Sequence, residues 1–271
     1  MTSSLAVSLV GAGAMGGALL KGWLHIGAID TGRSAVFDPA ANGAMKLLCA
    51  EHGLVLNPPI DTISADVMVV AVKPQKADEV LLQYAKLAKN AIVISVMAGK
   101  SIANISNALG GAPRVARTMP NLPAAIGKGI TGIFAPKVID DAGRAIIQSL
   151  MSAVGETVWV AAESQIDFVT AISGSGPAYY FLMTEALAEA GAALGLTKEA
   201  AAKLALLTLT GAGALMDIET RSPVEMCEAV TSSGGTTEAA LSVLDGTDHQ
   251  LRTLLKKAVA AAAKRASALT Q

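Results

Sequence analysis

At 271 residues the chain has the length of about two ordinary domains, each large enough for a core of its own. It is 52% hydrophobic, 16% charged and 3% aromatic, with a mean hydropathy of +0.49, so its apolar mass is Ala, Leu, Val and Ile and it is not a disordered chain. A formal net charge of −1 leaves no electrostatic footprint for nucleic acid and no basic face for a membrane surface.

The first half alternates. Residues 5–10 are a short apolar run, followed by a glycine-rich turn and a helical pattern through Ile26 that stops at Gly27. Residues 34–37 read as a second strand and 45–52 as a helix. The runs at 67–72 and 92–96 are continuous and β-branched, which suits strands buried on both faces of a parallel sheet, and helical spacing at 75–89 lies between them. Residues 114–117, 130–134 and 157–161 are further strands, with a helix at 140–153. This alternation predicts a Rossmann-type, doubly wound α/β domain over residues 1–162.

Beyond residue 163 the strand signal ends. Ala- and Leu-rich helical patterns follow at 164–173, 178–194, 198–216, 223–232, 237–244 and 248–267, punctuated by Gly195, Gly211, Gly213 and Ser222-Pro223. They predict an all-α second domain over residues 163–271. No membrane span is expected. Residues 1–20 lack a basic leader and dissolve into Gly11, Gly13, Gly16 and Gly17, and the charge-free stretch 168–184 is broken at Gly174-Ser175-Gly176-Pro177. The surplus apolar surface is therefore expected at an interface between subunits.

The segment Gly11-Ala12-Gly13-Ala14-Met15-Gly16 matches G-x-G-x-x-G directly after a strand and at the opening of a helix. Gly11 makes the tight turn, Gly13 lets backbone approach a pyrophosphate, and Gly16 permits close helix–strand packing, while the helix N-terminus offers N–H groups to an anion. Asp38, 22 residues after Gly16, falls where a carboxylate accepts hydrogen bonds from an adenosine ribose and repels a 2′-phosphate. That favours NADH, with nearby Arg33 keeping NADPH open; the plainer reading of Asp38 is an Asp-Pro turn.

Val72, Lys73 and Pro74 end the 67–72 strand and border any ligand beyond its carboxyl end, although Lys73 alone reads more readily as a solvated loop lysine than as a catalytic one. Asn121, in Arg117-Thr118-Met119-Pro120-Asn121-Leu122-Pro123, either positions substrate or organises a turn. In the second half, Ser232-Ser233-Gly234-Gly235-Thr236-Thr237-Glu238 places hydroxyls and glycines at a helix start, a carboxylate pocket or a plain N-cap.

Some chemistry is missing from the pattern. His25, His52 and His249 are too scattered for a metal site, and Cys49 and Cys227 make neither a disulfide framework nor a metal cluster, which fits a reduced, cytoplasmic setting. There is no G-x-S-x-G elbow, and no pair of carboxylates stands out as an acid–base couple. A nucleotide domain without an evident acid or base points to hydride transfer onto a substrate that is already electrophilic.

These motifs, with Ala71-Val72-Lys73-Pro74, Ser173–Tyr179 and above all Ser232–Thr237, resemble the pyrroline-5-carboxylate reductase family over essentially the whole chain. The resemblance implies reduction of an imino acid, 1-pyrroline-5-carboxylate, to L-proline by NADPH or NADH. It implies that Gly11, Ala12, Gly13, Ala14, Met15 and Gly16 hold the pyrophosphate and that Val72, Lys73, Pro74 and Ala98 line the path from adenosine to nicotinamide. Ser232, Gly235 and Thr236 would bind the substrate carboxylate, and Thr237 the ring nitrogen. The second domain would bind substrate and interlock with its twin, making a homodimer with an active site at the interface and, in this family, decamers of such dimers.

Two positions depart from the family pattern: Ser233 stands where many members have Pro, and Asp38 where neutral or basic residues are common. The alternatives are a related imine or 3-hydroxyacid dehydrogenase, for which Lys198 and Lys203 are the nearest lysines, and a non-catalytic NAD(P)-binding protein.

Overall fold

The computed structural model describes residues 5–270; residues 1–4, the start of the charge-free stretch 1–20, and Gln271 lie outside the described residues. Packing divides the chain into two units, residues 1–175 with 262–271, and residues 176–261.

The first unit is built on strand–helix alternation: β1 (Val7–Val10), α1 (Ala14–Ile26), β2 (Ala35–Phe37), α2 (Gly43–Glu51), β3 (Val55–Leu56), β4 (Val67–Val70), α3 (Ala77–Val80), α4 (Ala85–Ala88), β5 (Ile92–Ser95), α5 (Ile102–Ala108), β6 (Val115–Met119), β7 (Gly129–Phe134), α6 (Asp141–Ser152), β8 (Gly155–Trp159) and α7 (Gln165–Val169). The strands form one sheet in the order β3-β2-β1-β4-β5-β6-β7-β8.

The continuous apolar runs have the meaning assigned to them. On β4, Val67 and Val69 enter one core cluster and Met68 and Val70 the other, all with zero exposure, so the strand is covered on both faces. The first cluster is anchored by Leu19, Leu20 and Trp23 of α1 with Ile147 and Leu150 of α6. Trp23 is fully buried, and its indole N–H donates to the Leu150 carbonyl at 2.8 Å.

Three local expectations change. The helix expected over 75–89 is broken into α3 and α4 by a 3₁₀ turn at Leu81–Tyr84, whose i and i+3 side chains eclipse and both enter the core. Tyr84 packs edge-on to Phe37, with ring centroids 5.2 Å apart. β7 runs antiparallel to β6, the one such pair in an otherwise parallel sheet. The link from Met119 to Gly129, folded as a 3₁₀ turn at Leu122–Ile126, is shorter than the roughly dozen residues that a parallel crossover needs. Two-residue β3 at the sheet edge and α5 were not expected.

The second unit is helical, with α8 (Gly176–Ala193), α9 (Lys198–Ile218), α10 (Pro223–Ala229), α11 (Thr236–Asp245) and α12 (Gln250–Thr270). The division by packing does not follow the change of composition at residue 163. α7, the wide π turn at Thr170–Gly174 and the last turns of α12 belong to the first unit. In that π turn the Ser175 N–H reaches back to the Thr170 carbonyl at 2.8 Å.

Trp23→Phe keeps most of the buried ring but leaves the Leu150 carbonyl without its indole donor. It is expected to lower unfolding free energy by about 1–2 kcal/mol, read by urea denaturation.

Candidate active site

The first cluster of candidate residues lies at the carboxyl ends of β1, β2, β4 and β5. Backbone bonds tie these ends together: Gly11 N–H donates to the Phe37 carbonyl at 2.8 Å, Ala71 N–H to that of Val10 at 2.8 Å, and Val96 N–H to that of Val70 at 3.1 Å. Gly11, Ala12, Gly13, Ala14, Met15, Gly16, Asp38, Val72, Lys73, Pro74 and Ala98 all follow these four ends.

The glycines differ in what they do. Gly11 has φ +91°, and a side-chain carbon built on it would lie 2.7 Å from the Ala71 carbonyl oxygen. On Gly16 such a carbon would lie 2.1 Å from the Gly11 carbonyl oxygen, so this residue holds α1 against the turn. Gly13 faces open space, with nothing within 4 Å. It is also the N-cap of α1 and brings no side-chain hydrogen bond to the first turn, so the backbone donors there have room for an anion.

Asp38 is committed to backbone. One carboxylate oxygen accepts the Ala12 N–H at 2.8 Å and the other the Ala40 N–H at 2.9 Å. The turn reading and the ligand reading of Asp38 are thus joined: the carboxylate shapes its own Asp-Pro turn and steadies the glycine loop. Burial, and then this carboxylate, push the Tyr84 hydroxyl above its ordinary pKa range. Behind the loop, a cavity of about 270 Å³ is lined by Ala12, Gly13, Lys21, Asn42 and Met45, among others.

Lys73 is exposed and starts a 3₁₀ turn at Pro74–Lys76. Asn121 is 8% exposed, and its side-chain carbonyl accepts the Ile130 N–H at 2.9 Å, bracing the β6–β7 connection. That observation supports its turn-organising role.

The second cluster lies in the second unit. Gly234 has φ +70°, and its N–H donates to Glu238 Oε2 at 2.7 Å. Gly235 is the N-cap of α11, brings no side-chain cap, and donates its N–H to the Ser232 carbonyl at 3.0 Å. A side-chain carbon on Gly235 would lie 2.4 Å from Ser232 Oγ, so only glycine lets that hydroxyl lie against the helix start. Ser232 and Thr236 are exposed and Thr237 half-buried. Lys198 and Lys203 are exposed along α9.

The second unit also carries a large apolar surface. Phe181, Leu187, Leu206, Leu207 and Ile218 are each more than half exposed. Between α8 and α9 runs a groove of about 640 Å³ lined by Phe181, Ala188, Leu206 and Leu209, among others. By length and composition α9 is apolar enough to cross a membrane, although the sequence pattern pointed to no span, and only 11% of its most apolar window is buried.

Arg117, Glu163 and Asp167 went unnoticed in the sequence except for Arg117 as part of a motif. The guanidinium is 2% exposed and donates to Glu163 Oε1 at 3.2 Å and Asp167 Oδ1 at 3.4 Å. The available signal was an arginine inside the apolar strand Val115–Met119.

Residues 163–269 match the family model described as pyrroline-5-carboxylate reductase dimerisation, and residues 6–99 the model described as NADP oxidoreductase, coenzyme F420-dependent. A pyrroline-5-carboxylate reductase of Pseudomonas aeruginosa is 35% identical over 268 residues, covering 98% of this chain and 97% of its own. The solved structure of a pyrroline-5-carboxylate reductase from Coxiella burnetii is 36% identical and superposes with a TM-score of 0.90 over 99% of this chain and 100% of that one. A Plasmodium falciparum pyrroline carboxylate reductase, solved with NADP bound, shares the fold at 24% identity and a TM-score of 0.82, covering 100% of both chains. The dimerisation match spans α8 and α9, whose exposed apolar surface is suited to association between subunits.

Introducing charge into the groove with Phe181→Glu and Leu206→Glu is expected to weaken association by about 2 kcal/mol or more, seen as a smaller species in sedimentation velocity.

Proposed function

Because the chain belongs to the pyrroline-5-carboxylate reductase family, we propose that it transfers hydride from a reduced nicotinamide cofactor to the C=N of 1-pyrroline-5-carboxylate, giving L-proline, the last step of proline biosynthesis. The observation that carries this reading is the pairing of two anion-ready helix starts on one chain. One is the uncapped start of α1 at Gly13, the other the uncapped start of α11 at Gly235.

In this reading residues 1–162 hold the cofactor. Gly11, Ala12, Gly13, Ala14, Met15 and Gly16 receive the pyrophosphate, and the open space at Gly13 fits that group. Val72, Lys73, Pro74 and Ala98 border the path to the reacting end. When bound, the cofactor supplies the hydride.

Residues 163–271 bind substrate and dimerise. Ser232, Gly235 and Thr236 take the substrate carboxylate, Ser232 and Thr236 through their hydroxyls and the first N–H groups of α11, and Gly235 by leaving the helix start clear of a side chain; Thr237 holds its hydroxyl to the ring nitrogen. Asn121 supports the adjoining loop. An imine that carries a proton on its ring nitrogen is electrophilic enough that the chain's task is mainly orientation, and hydride addition to its carbon then gives the neutral amine directly. The partner subunit completes each site, and dimers associate further into decamers. Two free cysteines, Cys49 and Cys227, suit a cytoplasmic enzyme.

Cofactor choice turns on Asp38. Its carboxylate lies against the glycine loop and disfavours a 2′-phosphate by like charge, which supports NADH, whereas the matched family model is described for NADP. Asp38→Asn keeps acceptor oxygen for the loop while removing the charge. The ratio of kcat/KM for NADPH to that for NADH is expected to rise by about tenfold; an unchanged ratio would leave Asp38 as a loop residue alone.

The reaction itself is tested by initial rates with 1-pyrroline-5-carboxylate and either cofactor, where no turnover with both would end the proposal. Thr237→Ala is expected to lower kcat/KM for the imine by about tenfold or more, with cofactor affinity unchanged.

A further inference from the structure

The buried Arg117 guanidinium connects two tethers that close on one loop. Through Glu163 Oε1 it reaches the start of α5, because the same oxygen accepts the Ile102 N–H at 2.7 Å. Through Asp167 it reaches the end of α12. Ser267 Oγ donates to Asp167 Oδ2 at 3.1 Å, and the single hydroxyl proton of Thr270 is shared between Asp167 Oδ1 at 3.2 Å and the Ala266 carbonyl at 3.0 Å.

Between these anchors lies the segment that leaves β5. Gly99 there has φ +67°, and a side-chain carbon on it would lie 2.7 Å from Leu269 Cβ and 3.2 Å from the Leu269 carbonyl oxygen. The last turn of α12 thus presses directly on the backbone next to Ala98. Ser101 caps α5 on the other side through a reciprocal capping box with Asn104.

An ion pair this deeply buried is a poor device for stability alone, since desolvation of the charges offsets most of their attraction. Asp167 is 7% exposed, and Arg117 Nε has no partner. Such a network is better suited to fixing position than to adding stability.

We propose that the Arg117–Asp167 network and the hydroxyls of Ser267 and Thr270 form a C-terminal clamp that positions the 96–101 loop for the nicotinamide end of the cofactor. This rests on the reading that Ala98 lines the cofactor path, and it places the 96–101 loop at the nicotinamide end of that path. The four residues are positioning residues that act through the Ala98–Gly99 backbone. Arg117 stands on β6, which β4 and β5 separate from β1 and its glycine loop, so the adenosine and pyrophosphate end of the ligand should not sense the network.

That asymmetry supplies the test. The full-length protein is titrated with NADH and NADPH by nucleotide fluorescence, and with ADP-ribose by calorimetry. The paired variant Ser267→Ala with Thr270→Val removes both hydroxyls and leaves the Arg117–Asp167 pair; Asp167→Asn weakens the whole network. Both are expected to bind the reduced cofactors about tenfold more weakly while ADP-ribose affinity stays within about twofold of the parent. Restoring one hydroxyl with Thr270→Ser in the paired variant is expected to recover part of the loss.

Unchanged affinity for the reduced cofactors in the paired variant overturns the clamp. So does a parallel loss of ADP-ribose binding, which marks general loosening. If Asp167→Asn does not fold, the paired variant decides alone. The titration needs no imine, so parent protein that binds cofactor normally without reducing 1-pyrroline-5-carboxylate counts against the proposed reaction and not the clamp. Parent protein that binds neither reduced cofactor overturns both.

Discussion

The approach of α1 to the end of β1 is the constraint on which the first unit depends. The Gly11 carbonyl leaves no room for any side chain at Gly16, and the Ala71 carbonyl leaves none at Gly11. With both positions reduced to backbone, the helix begins immediately after the strand and its first N–H groups face the carboxyl edge of the sheet. The neighbouring strand ends are then fixed relative to that start by hydrogen bonds from Gly11 to Phe37 and from Ala71 to Val10, and by Asp38 holding Ala12. Residues distant in sequence meet at one edge because a single crowded turn leaves the chain no other path.

The second unit obeys a different constraint. Its helices bury little within the protomer, and α9 exposes most of an apolar length that would suffice for a membrane. Helices rich in Ala, Leu and Gly can approach a neighbour closely, and a groove bordered by Phe181 and Leu206 offers the surface for it. The unusual composition of the chain, strongly apolar and nearly free of aromatic residues, therefore has two separate causes. One is a sheet covered on both faces, and the other is a helical unit whose apolar surface suits association with another subunit.

What could be read from the sequence follows the range of the interactions involved. The runs at Val67–Val70 and Ile92–Ser95 and the glycine turn after Val10 are local signals, and each stands where expected. The antiparallel turn into β7 was not visible, since Ile130–Phe134 alone carries no direction, and the short link before it was not weighed. Leu81 and Tyr84 share helical spacing with their neighbours, so only packing against Phe37 and the rest of the core distinguishes the tighter turn. Asn121 was recognised as a turn former or a ligand, and its bond to Ile130 favours the first. Arg117, Glu163 and Asp167 were hardest to see, because a charge network between residues 46 and 50 apart leaves no periodic mark.

The two kinds of polar group in the chain also divide along these lines. After Gly13 and Gly235 the first helical N–H groups follow N-caps that bring no side-chain hydrogen bond, so they are open in the way an anion site requires. At Arg117 the donors are buried and already committed to carboxylates, which makes them useless for binding and costly to displace. A reaction that asks chiefly for orientation is served by both kinds: open donors that can take up an anion, and closed ones that fix a loop. Hydride transfer is sensitive to the distance between two carbon atoms, so a chain with no evident acid–base pair has good reason to invest its buried charges in geometry.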